Sequence, residues 1–327
     1  MQTAASNLMQ TLRGFMQSRI ILTGAELDLF SLLSRSRLAA RQVADELQTD
    51  LRATQILLDA LTAIGLLRKA NGVYESADEA RSLLSSDSPE SILPIVLHLS
   101  GSWKLWSRLT DIVQGEVAIP TDDFRTEAQL RAFIGGMHVV SRHQAPGVIQ
   151  RIGADGASRV LDIGGASGTY TIAFLRANPG LRATLFDRPA VVEMARERLG
   201  AEGLLDRVDL VGGDYNTDPL PAGHDLAFLS AIIHQNSPEQ NLELYTRCHA
   251  ALNPGGRIIV RDYVLSPDRT SPPAGALFAI NMLCATRGGN SYTMEEISLG
   301  LVEAGFSRPR LIHNEENHYG LVEAWKA

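Results

Sequence analysis

Carboxylates and glycines in the middle of the sequence have the types and spacing of a ligand site. The apolar segment "RVLDIGGASGTY" contains Asp162 and then the glycine-rich turn 164–168. Two further apolar segments, "RATLFD" and "VDLVGGD", end at Asp187 and Asp214. Strands that alternate with helical segments predict a parallel sheet, and open sheets of this kind bind ligands at the carboxyl ends of their strands. We therefore expect the three carboxylates along one edge of one sheet.

The pattern of the turn indicates which nucleotide this edge holds. A dinucleotide site uses G-x-G-x-x-G to seat a pyrophosphate at a helix N-terminus. This turn instead has the pattern D-x-G-x-A-x-G, in which Asp162 precedes the glycines. A carboxylate repels a pyrophosphate and suits a ligand with a cationic ammonium and sulfonium, as in S-adenosylmethionine. The competing interpretation is that the aspartates are only helix caps.

The ends of the second and third strands would complete the nucleotide site. Asp187 follows the turn by about 20 positions, the spacing at which an acidic residue accepts hydrogen bonds from ribose hydroxyls. Asp214 would accept from the adenine amino group, and Tyr215 would lie against the adenine ring. A lone glycine turn is weak support for such a site, whereas three acidic strand ends in order are much stronger.

The composition excludes several function classes. The 327 residues, with 45% hydrophobic and 20% charged side chains, are typical of a globular chain long enough for two domains. A net charge of −7 with scattered basic residues disfavours nucleic-acid binding. The two cysteines predict neither a disulfide framework nor a metal site. We expect a cytoplasmic protein without membrane contact, since neither a signal peptide nor a run of about 18 apolar residues is found.

The first third of the chain has mostly helical spacing of apolar residues. A short helix ending near Leu47, a longer helix from Leu51 to Ile64 and a hairpin with Asn71-Gly72 as its turn predict a winged helix. The longer helix has few basic residues for a phosphate backbone, so a structural or dimer-forming role is favoured over DNA binding.

The rest of the chain alternates between strands and helices from Val160 onwards. We expect strands at "RVLDIG", "RATLFD", "VDLVGGD", "DLAFLSA" and "GRIIVRDYVL", with helical segments between them, and a last strand in "YGLVEAWKA". The predicted domains are a helical, winged-helix dimerisation domain at 1–115, with the start of a connector, and the connector helices with the nucleotide-binding domain at 116–327.

The chain resembles the class I S-adenosylmethionine-dependent O-methyltransferases of the caffeate and acetylserotonin type, including bacterial small-molecule members, over nearly its whole length. The segments that carry the resemblance are "VLDIGGASGTY", "TLFDRPAVVEMA", "RVDLVGGDY", "ALNPGGRIIVRDYVL" and "ALFAINMLCATRGGNSYTMEEISLGLVEAGF". It implies an α/β fold with a Rossmann-like, mostly parallel sheet and an N-terminal domain that pairs two copies. It also implies S-adenosylmethionine as cofactor, S-adenosylhomocysteine as product, a small-molecule acceptor and no metal.

The resemblance further implies which residues touch the ligands. Those expected at the cofactor are Asp162, Gly164, Gly165, Gly168, Asp187, Arg188, Asp214, Tyr215 and Ser230. Those expected at the acceptor are Trp106, Phe133, Met137, His138, Asn281, Met282 and Thr286. A thioether packs well on an aromatic ring, although Met137 is equally explained as core. His138 is a second polar contact or an alternative base, and Asn281 is expected to bond either the acceptor or backbone.

Methylation of a phenol is helped by a base, because a free phenol has a pKa of about 10. His234 follows the fourth strand, where plant relatives carry their catalytic histidine, although Gln235-Asn236 replaces the usual Asp-Trp. Asp262 matches one of two acidic residues that orient that histidine, and Ser291 stands where the second is expected. A His234–Asp262 pair would still fix the tautomer and stabilise the imidazolium. The alternative is that His234 only lines the loop and that alignment of the reactants supplies the rate.

Three function classes remain from the sequence. The leading one is transfer of a methyl group to a hydroxyl of a small aromatic or polycyclic molecule. The second is an enzyme of the same fold that uses the cofactor for decarboxylation, hydroxylation or ring formation, and the third is a cofactor-sensing winged-helix regulator. The sequence does not identify the acceptor.

Overall fold

A computed structural model describes residues 3–116, 126–154, 156–314 and 319–327. The chain divides into two compact units, Met1–Lys104 with Thr126–Val139, and Leu105–Arg125 with Val140–Ala327. The domain boundary expected between residues 115 and 116 stays a prediction. Among the helices in the described ranges, none combines the length and the apolar character needed to cross a lipid bilayer.

Helices dominate the part of the chain before the large sheet. They are α1 (Ala4–Glu26), α2 (Leu29–Arg35), α3 (Ala40–Leu47), α4 (Leu51–Ala63), α5 (Asp78–Leu84), α6 (Leu93–Trp106), α7 (Leu109–Val113), α8 (Glu127–Ser141) and α9 (Ala145–Ile152). Three short strands accompany them, namely β1 (Leu38–Ala39), β2 (Leu67–Ala70) and β3 (Val73–Ser76).

Helices α3 and α4 and the hairpin β2–β3 form the winged helix that the sequence predicts. The strand order is β1-β3-β2, with both pairs antiparallel. Asn71 and Gly72 have φ values of 51° and 80°, the positive pair that a two-residue type I′ turn requires. Large buried side chains of α2, α4 and β3 make the core of this unit: Leu29, Phe30, Leu33, Leu58, Leu61 and Tyr74.

The second unit contains the large sheet. Its strands are β4 (Arg159–Ile163), β5 (Arg182–Asp187), β6 (Val208–Gly212), β7 (His224–Ser230), β8 (Leu252–Asp262), β9 (Val264–Leu265), β10 (Tyr292–Thr293), β11 (Phe306–His313) and β12 (Gly320–Lys326). Its further helices are α10 (Thr169–Ala177), α11 (Pro189–Ala201), α12 (Pro238–Ala251), α13 (Pro273–Ala285) and α14 (Met294–Glu303).

Seven strands make one mostly parallel sheet in the order β11-β12-β8-β7-β4-β5-β6. The five strands from β8 to β6 are parallel, and β12 is antiparallel to both of its neighbours. The chain starts at β4, runs outward to β6 and returns to β7 on the other side of β4. The strand order therefore reverses between β4 and β7, and a reversal of this kind leaves a crevice at the carboxyl ends of the two strands.

Both faces of the sheet are covered, which explains its nearly continuous apolar strands. Along β7, Leu226 and Phe228 belong to the apolar cluster on one face, whereas Ala227 and Leu229 belong to the cluster on the other. All four side chains are fully buried. Successive residues point to opposite faces, so this alternation needs apolar residues at every position.

One expectation about this unit was wrong, and one strand was missed. The helical segment expected between the third and fourth strands does not form: residues 215–218 make a turn and a bend, and the rest of 213–223 is irregular. Asp214 accepts a hydrogen bond from the backbone N–H of Asn216, and two prolines follow, so turn contacts replace a helix there. Strand β11 was not expected; its irregular register with β12 and the positive φ of Arg308 blur the alternation of a strand.

Candidate functional site

The glycine turn after β4 has backbone angles that few other residues adopt. Gly164 and Gly168 have φ values of 67° and 76°, and Ala166 between them has a φ of 49°. A Cβ on Gly165 would lie 2.7 Å from Cγ of Leu185, and one on Gly164 would collide with the side chain of Ile232. The turn is therefore packed closely against the protein beneath it, and α10 begins directly after it.

Asp162 points inward beneath the turn rather than openly into the crevice. It is only 2% exposed, and one carboxylate oxygen accepts a hydrogen bond from Oγ1 of Thr171 at 2.6 Å. Burial, with a smaller effect from the charge of Asp187, raises the pKa of Asp162 to about 6, although the bond from Thr171 acts in the opposite direction. Asp162 thus joins β4 to α10, and its contact with a cofactor stays a prediction.

Asp187, at the end of β5, holds the glycine turn in shape. Its Oδ2 accepts from the backbone N–H of Ala166 at 2.9 Å, and its Oδ1 accepts from the N–H of Arg188 at 2.7 Å. Burial raises the pKa of this carboxyl group. The carboxylate of Asp187 and the glycine turn are therefore adjacent. The sequence predicts this arrangement, in which both would contact one nucleoside.

Tyr215 and Ser230 also lie at this edge of the sheet. Cε1 of Tyr215 is 3.8 Å from the place where a Cβ on Gly164 would stand, so the half-buried ring borders the turn. Asp214 beside it is exposed and caps a turn of its own. Ser230 is the last residue of β7, and its Oγ accepts a hydrogen bond from Nη1 of Arg261 at 3.2 Å.

His234 and Asp262 form a buried pair at the ends of β7 and β8. Nδ1 of His234 lies 2.8 Å from Oδ1 and 2.9 Å from Oδ2 of Asp262. The side chains are 7% and 1% exposed, respectively. Since Nδ1 faces a carboxylate, it carries the proton, and Nε2 is the basic nitrogen of the neutral ring. No hydrogen bond to Nε2 is found within the described residues.

Backbone contacts hold the loop that carries His234. Ala231, with a φ of 59°, turns the chain out of β7, and its N–H donates to the carbonyl of Arg261 at 2.8 Å. The capping box of Ser237 and Gln240 begins α12 and ends the loop. The carbonyl of His234 accepts from the N–H of Asn290 at 2.9 Å. Hydrogen bonds before and after His234 in the chain thus fix the position of the loop that carries it.

A cluster of aromatic rings adjoins His234, with the ring centroid of Tyr319 6.5 Å from that of the imidazole, and the sequence did not indicate it. Phe278 of α13 packs edge-on against the imidazole with ring centroids 4.8 Å apart. Tyr263 and Tyr319 pack edge-on against each other at 4.5 Å, and Tyr263 also contacts Phe278. Tyr263 directly follows Asp262 and was in principle visible, whereas only the fold brings Tyr319 here.

Ser291, at the position where a second carboxylate was expected, serves α13 instead. It is fully buried, and its Oγ donates to the carbonyl of Gly275 at 2.8 Å. Among the described residues, Asp262 is the sole carboxylate hydrogen-bonded to His234. Nor do those residues contain a group of three or more His, Cys, Asp or Glu side chains arranged to hold a metal ion.

The residues expected at the acceptor fall in both units. In the second unit, Nε1 of Trp106 donates to Oδ1 of Asn281 at 2.9 Å, and Met282 is buried. Thr286 is bound to backbone, since its Oγ1 donates to the carbonyl of Met282 and accepts from the N–H of Gly289.

The remaining three acceptor residues lie on α8. Phe133, Met137 and His138 are half-buried there, and the ring of Phe133 packs on His98 at 5.1 Å. Their contact with an acceptor stays a prediction.

The fold and the crevice define a class I S-adenosylmethionine-dependent methyltransferase: a mostly parallel seven-stranded sheet with a glycine turn at its switch point and an acidic residue after the next strand. A sequence model of the O-methyltransferase domain matches residues 117–307, and one of the O-methyltransferase dimerisation domain matches residues 9–86. The chain belongs to this O-methyltransferase family.

Relatives and solved structures agree with that assignment. The chain is 30% identical to 3-hydroxy-5-methyl-1-naphthoate 3-O-methyltransferase of Streptomyces sahachiroi, over 91% of this chain and 88% of the relative. It is 31% identical to the tetracenomycin polyketide synthesis 8-O-methyl transferase TcmO of Streptomyces glaucescens, over 93% and 92%. The solved structure of PigF with SAH superposes with a TM-score of 0.88 at 26% identity, over 99% of this chain and 100% of that one.

The protein is therefore an S-adenosylmethionine-dependent O-methyltransferase of small molecules. The two alternatives that the sequence left open, a non-methylating enzyme of this fold and a cofactor-sensing regulator, find no support in these comparisons.

Proposed function

We propose that the enzyme methylates a hydroxyl group of a small aromatic or polycyclic molecule and that His234 is the general base. The observation that carries the proposal is the buried His234–Asp262 pair, in which Asp262 occupies Nδ1 and leaves Nε2 as the basic nitrogen. One relative is named for O-methylation of a naphthoate, which is aromatic, and another for an 8-O-methyl transfer in tetracenomycin polyketide synthesis, which supports a small aromatic or polyketide acceptor.

The residues of the crevice suit the donor. The close packing under Gly164 and Gly165 brings backbone rather than side chains to the surface of the turn, as a nucleoside that lies flat on it requires. We infer that Asp187 and Arg188 hold the ribose side and that Asp214 and Tyr215 hold the adenine. When bound, S-adenosylmethionine supplies a methyl group already activated by the sulfonium.

His234 removes the proton that the acceptor hydroxyl must lose. The lone pair on Nε2 accepts this proton as the acceptor oxygen takes up the methyl group that the bound donor would supply, and S-adenosylhomocysteine would be the second product. The imidazole becomes an imidazolium, which the carboxylate of Asp262 stabilises across Nδ1. The pair is buried, with Phe278 packed edge-on against the imidazole, so the ionic interaction is stronger than in solvent. A positioned base contributes about 10²- to 10⁴-fold to rate.

Trp106, Asn281 and Met282 are the residues of the second unit that we assign to the acceptor. The hydrogen bond from Trp106 uses the amide oxygen of Asn281 and leaves its amide nitrogen to donate to a carbonyl or hydroxyl oxygen. The indole and the thioether offer apolar faces to a ring. Thr286 is assigned to support of the loop rather than to direct contact, because both of its hydrogen bonds go to backbone.

The test is methyl transfer by His234→Ala and His234→Gln with a panel of phenols, followed as S-adenosylhomocysteine formation. We expect turnover to fall by about 10²-fold or more in both variants, while calorimetry gives an unchanged affinity for S-adenosylhomocysteine. Near-native turnover by both variants on the best acceptor would mean that His234 is not the base.

We also propose that two copies form a homodimer through the N-terminal helices. Helix α1 exposes five large apolar side chains at 46% to 60% of their surface: Leu8, Met9, Leu12, Phe15 and Met16. Three of them, at positions 8, 12 and 15, are spaced to share one helix face. The match of the dimerisation domain model to residues 9–86 supports this use of the helix.

A location in the cytoplasm stays a prediction.

Light scattering on the full chain tests the dimer. We expect wild type to run as a dimer at micromolar concentration and Leu12→Asp with Phe15→Asp to run as a monomer. Leu299→Asp is the matched control, because it charges an equally exposed leucine on α14. A monomeric wild type would contradict the proposal.

A further inference from the structure

Arg261 is a buried cation beside the crevice. It is neither part of the proposed base nor one of the residues predicted to contact the cofactor. It precedes Asp262 in β8 and therefore points to the opposite face of the sheet. The residue is 4% exposed. Its guanidinium donates to Oγ of Ser230 at 3.2 Å and to Oε1 of Gln144 at 3.1 Å, and it lies 4.4 Å from the ring centroid of Tyr319.

None of these partners carries a negative charge. Arg261 forms no ion pair with a carboxylate of the described residues, whereas Arg257, on the same face of the same strand, pairs with Glu323 at 3.1 Å. A buried guanidinium is costly unless a counter-charge compensates it. Arg261 also has five N–H donors, of which the two hydrogen bonds use only two. The site around Arg261 therefore calls for an anion that the described residues do not supply.

The position of Arg261 indicates where that anion comes from. Asp187 ends β5 and Tyr215 follows β6, and both strands lie on one side of β4 in the sheet. Ser230 and Arg261 lie at the ends of β7 and β8 on the other side, in register with each other. If the adenosine occupies the first side and the sulfonium faces His234, the amino-acid end of the donor extends over β7 and β8.

A second contact ties Arg261 to the same place. Tyr170 is the second residue of α10, directly beyond the glycine turn, and its ring centroid is 5.1 Å from the guanidinium. Gln144 directly precedes α9, and its Oε1 accepts a hydrogen bond from Nη2 of Arg261. The cation is thus held between the glycine turn and the end of β7.

We propose that Arg261 binds the α-carboxylate of the methionine part of S-adenosylmethionine, with Ser230 and Gln144 as its positioning residues. The proposal rests on the donor site inferred at the glycine turn. Arg261 makes an ionic contact with the one carboxylate of the donor. Ser230 orients Arg261 and so acts on the donor through it.

The experiment is calorimetry with two ligands that differ in this carboxylate. One is S-adenosylhomocysteine; the other is 5′-(3-aminopropylthio)-5′-deoxyadenosine, which keeps the adenosine and the ammonium but lacks the carboxylate. Wild type should prefer S-adenosylhomocysteine by about 10- to 100-fold, the range expected for a hydrogen bond between charged groups. Arg261→Gln should abolish this preference by weakening S-adenosylhomocysteine alone, and Arg261→Lys should restore part of it.

Arg257→Gln is the matched control, because it removes a partly buried arginine of the same strand and leaves the preference intact. Equal weakening of both ligands by Arg261→Gln, or unchanged binding of both, would overturn the proposal. If Arg261→Gln does not fold, the wild-type preference decides, since equal affinity of wild type for the two ligands also overturns it. Failure of wild type to bind either ligand would instead remove the donor site on which the proposal rests.

Discussion

Replacement of Asp262 by asparagine removes the charge beside His234 while the size of the side chain is kept. In the native pair both carboxylate oxygens lie within 2.9 Å of Nδ1 of His234, and Oδ1 also accepts from the N–H of Tyr263 at 2.8 Å. Asparagine has one accepting oxygen and turns an NH₂ group toward one of these donors. Nδ1 of His234 then faces either the amide oxygen, which keeps the proton on Nδ1, or the amide NH₂ group, which moves the proton to Nε2.

The expected loss follows from the two outcomes. A hydrogen bond to a charged group contributes about 1.5–3 kcal/mol and a neutral one about 0.5–1.5 kcal/mol. Loss of the charge alone therefore removes about 1–1.5 kcal/mol from the imidazolium, or roughly tenfold in kcat. A proton on Nε2 removes the base altogether, which costs about 10²- to 10⁴-fold. Because Asp262 is 1% exposed and water cannot replace it, we expect about 10²-fold.

The assay compares two phenols of similar shape. One is an ordinary phenol with a pKa of about 10, and the other carries an electron-withdrawing group that ionises it at neutral pH. Asp262→Asn should lose turnover on the first and little on the second, since a phenolate needs no base. The affinity for S-adenosylhomocysteine should stay unchanged. Asp225→Asn is the control, because Asp225 lies at the other end of β7 and bonds Ser158 and Asn253.

Two results would refute this reasoning. Equal losses on both phenols would show that the carboxylate does not act through proton removal. Full activity on the ordinary phenol would show that the His234–Asp262 pair has no part in the rate.

Three further predictions concern the turn, the buried carboxylate and the acceptor. Gly165→Ala should lower the free energy of unfolding, measured with urea, by about 1–3 kcal/mol, because its Cβ would stand 2.7 Å from Leu185. An unchanged midpoint of urea unfolding would contradict this. The folded pKa of Asp162, about 6, is above its ordinary value of 3.8, so its contribution to stability is complete below about pH 4 and is lost as pH rises through 6. Urea midpoints should show that Asp162→Asn removes this part of the pH dependence, and an identical profile would count against it. Trp106→Phe, which loses the bond to Asn281, should raise the KM of the acceptor several-fold without changing donor affinity, and a change in donor affinity alone would oppose the assignment.

The general architecture was accessible from the sequence because strands and helices differ in local period. Six strands of the large sheet and the hairpin turn at Asn71 and Gly72 were predicted from alternation and turn chemistry. The same reasoning failed in residues 213–223, where side-chain contacts to backbone replace a helix, and at β11, where Arg308 interrupts the alternation.

The site was predictable only in part. Spacing alone placed Asp187 and Tyr215 at the edge of the sheet, and the resemblance paired His234 with Asp262. The direction of a side chain was not readable in this way. The sequence predicted Asp162 at the ligand, and only the fold shows that one of its carboxylate oxygens bonds Thr171; its contact with a cofactor stays a prediction.

The sequence by itself determined the order of the elements, the glycine turn and the acidic strand ends, because these depend on residues close together in the chain. Tertiary structure alone decided what surrounds them. The ring of Tyr319 and the amide of Gln144 reach Arg261 from distant segments, and only the strand order brings Ser230 and Arg261 side by side. Burial, and the lack of a counter-charge to Arg261 among the described residues, are properties of the folded chain, since they depend on every neighbour at once.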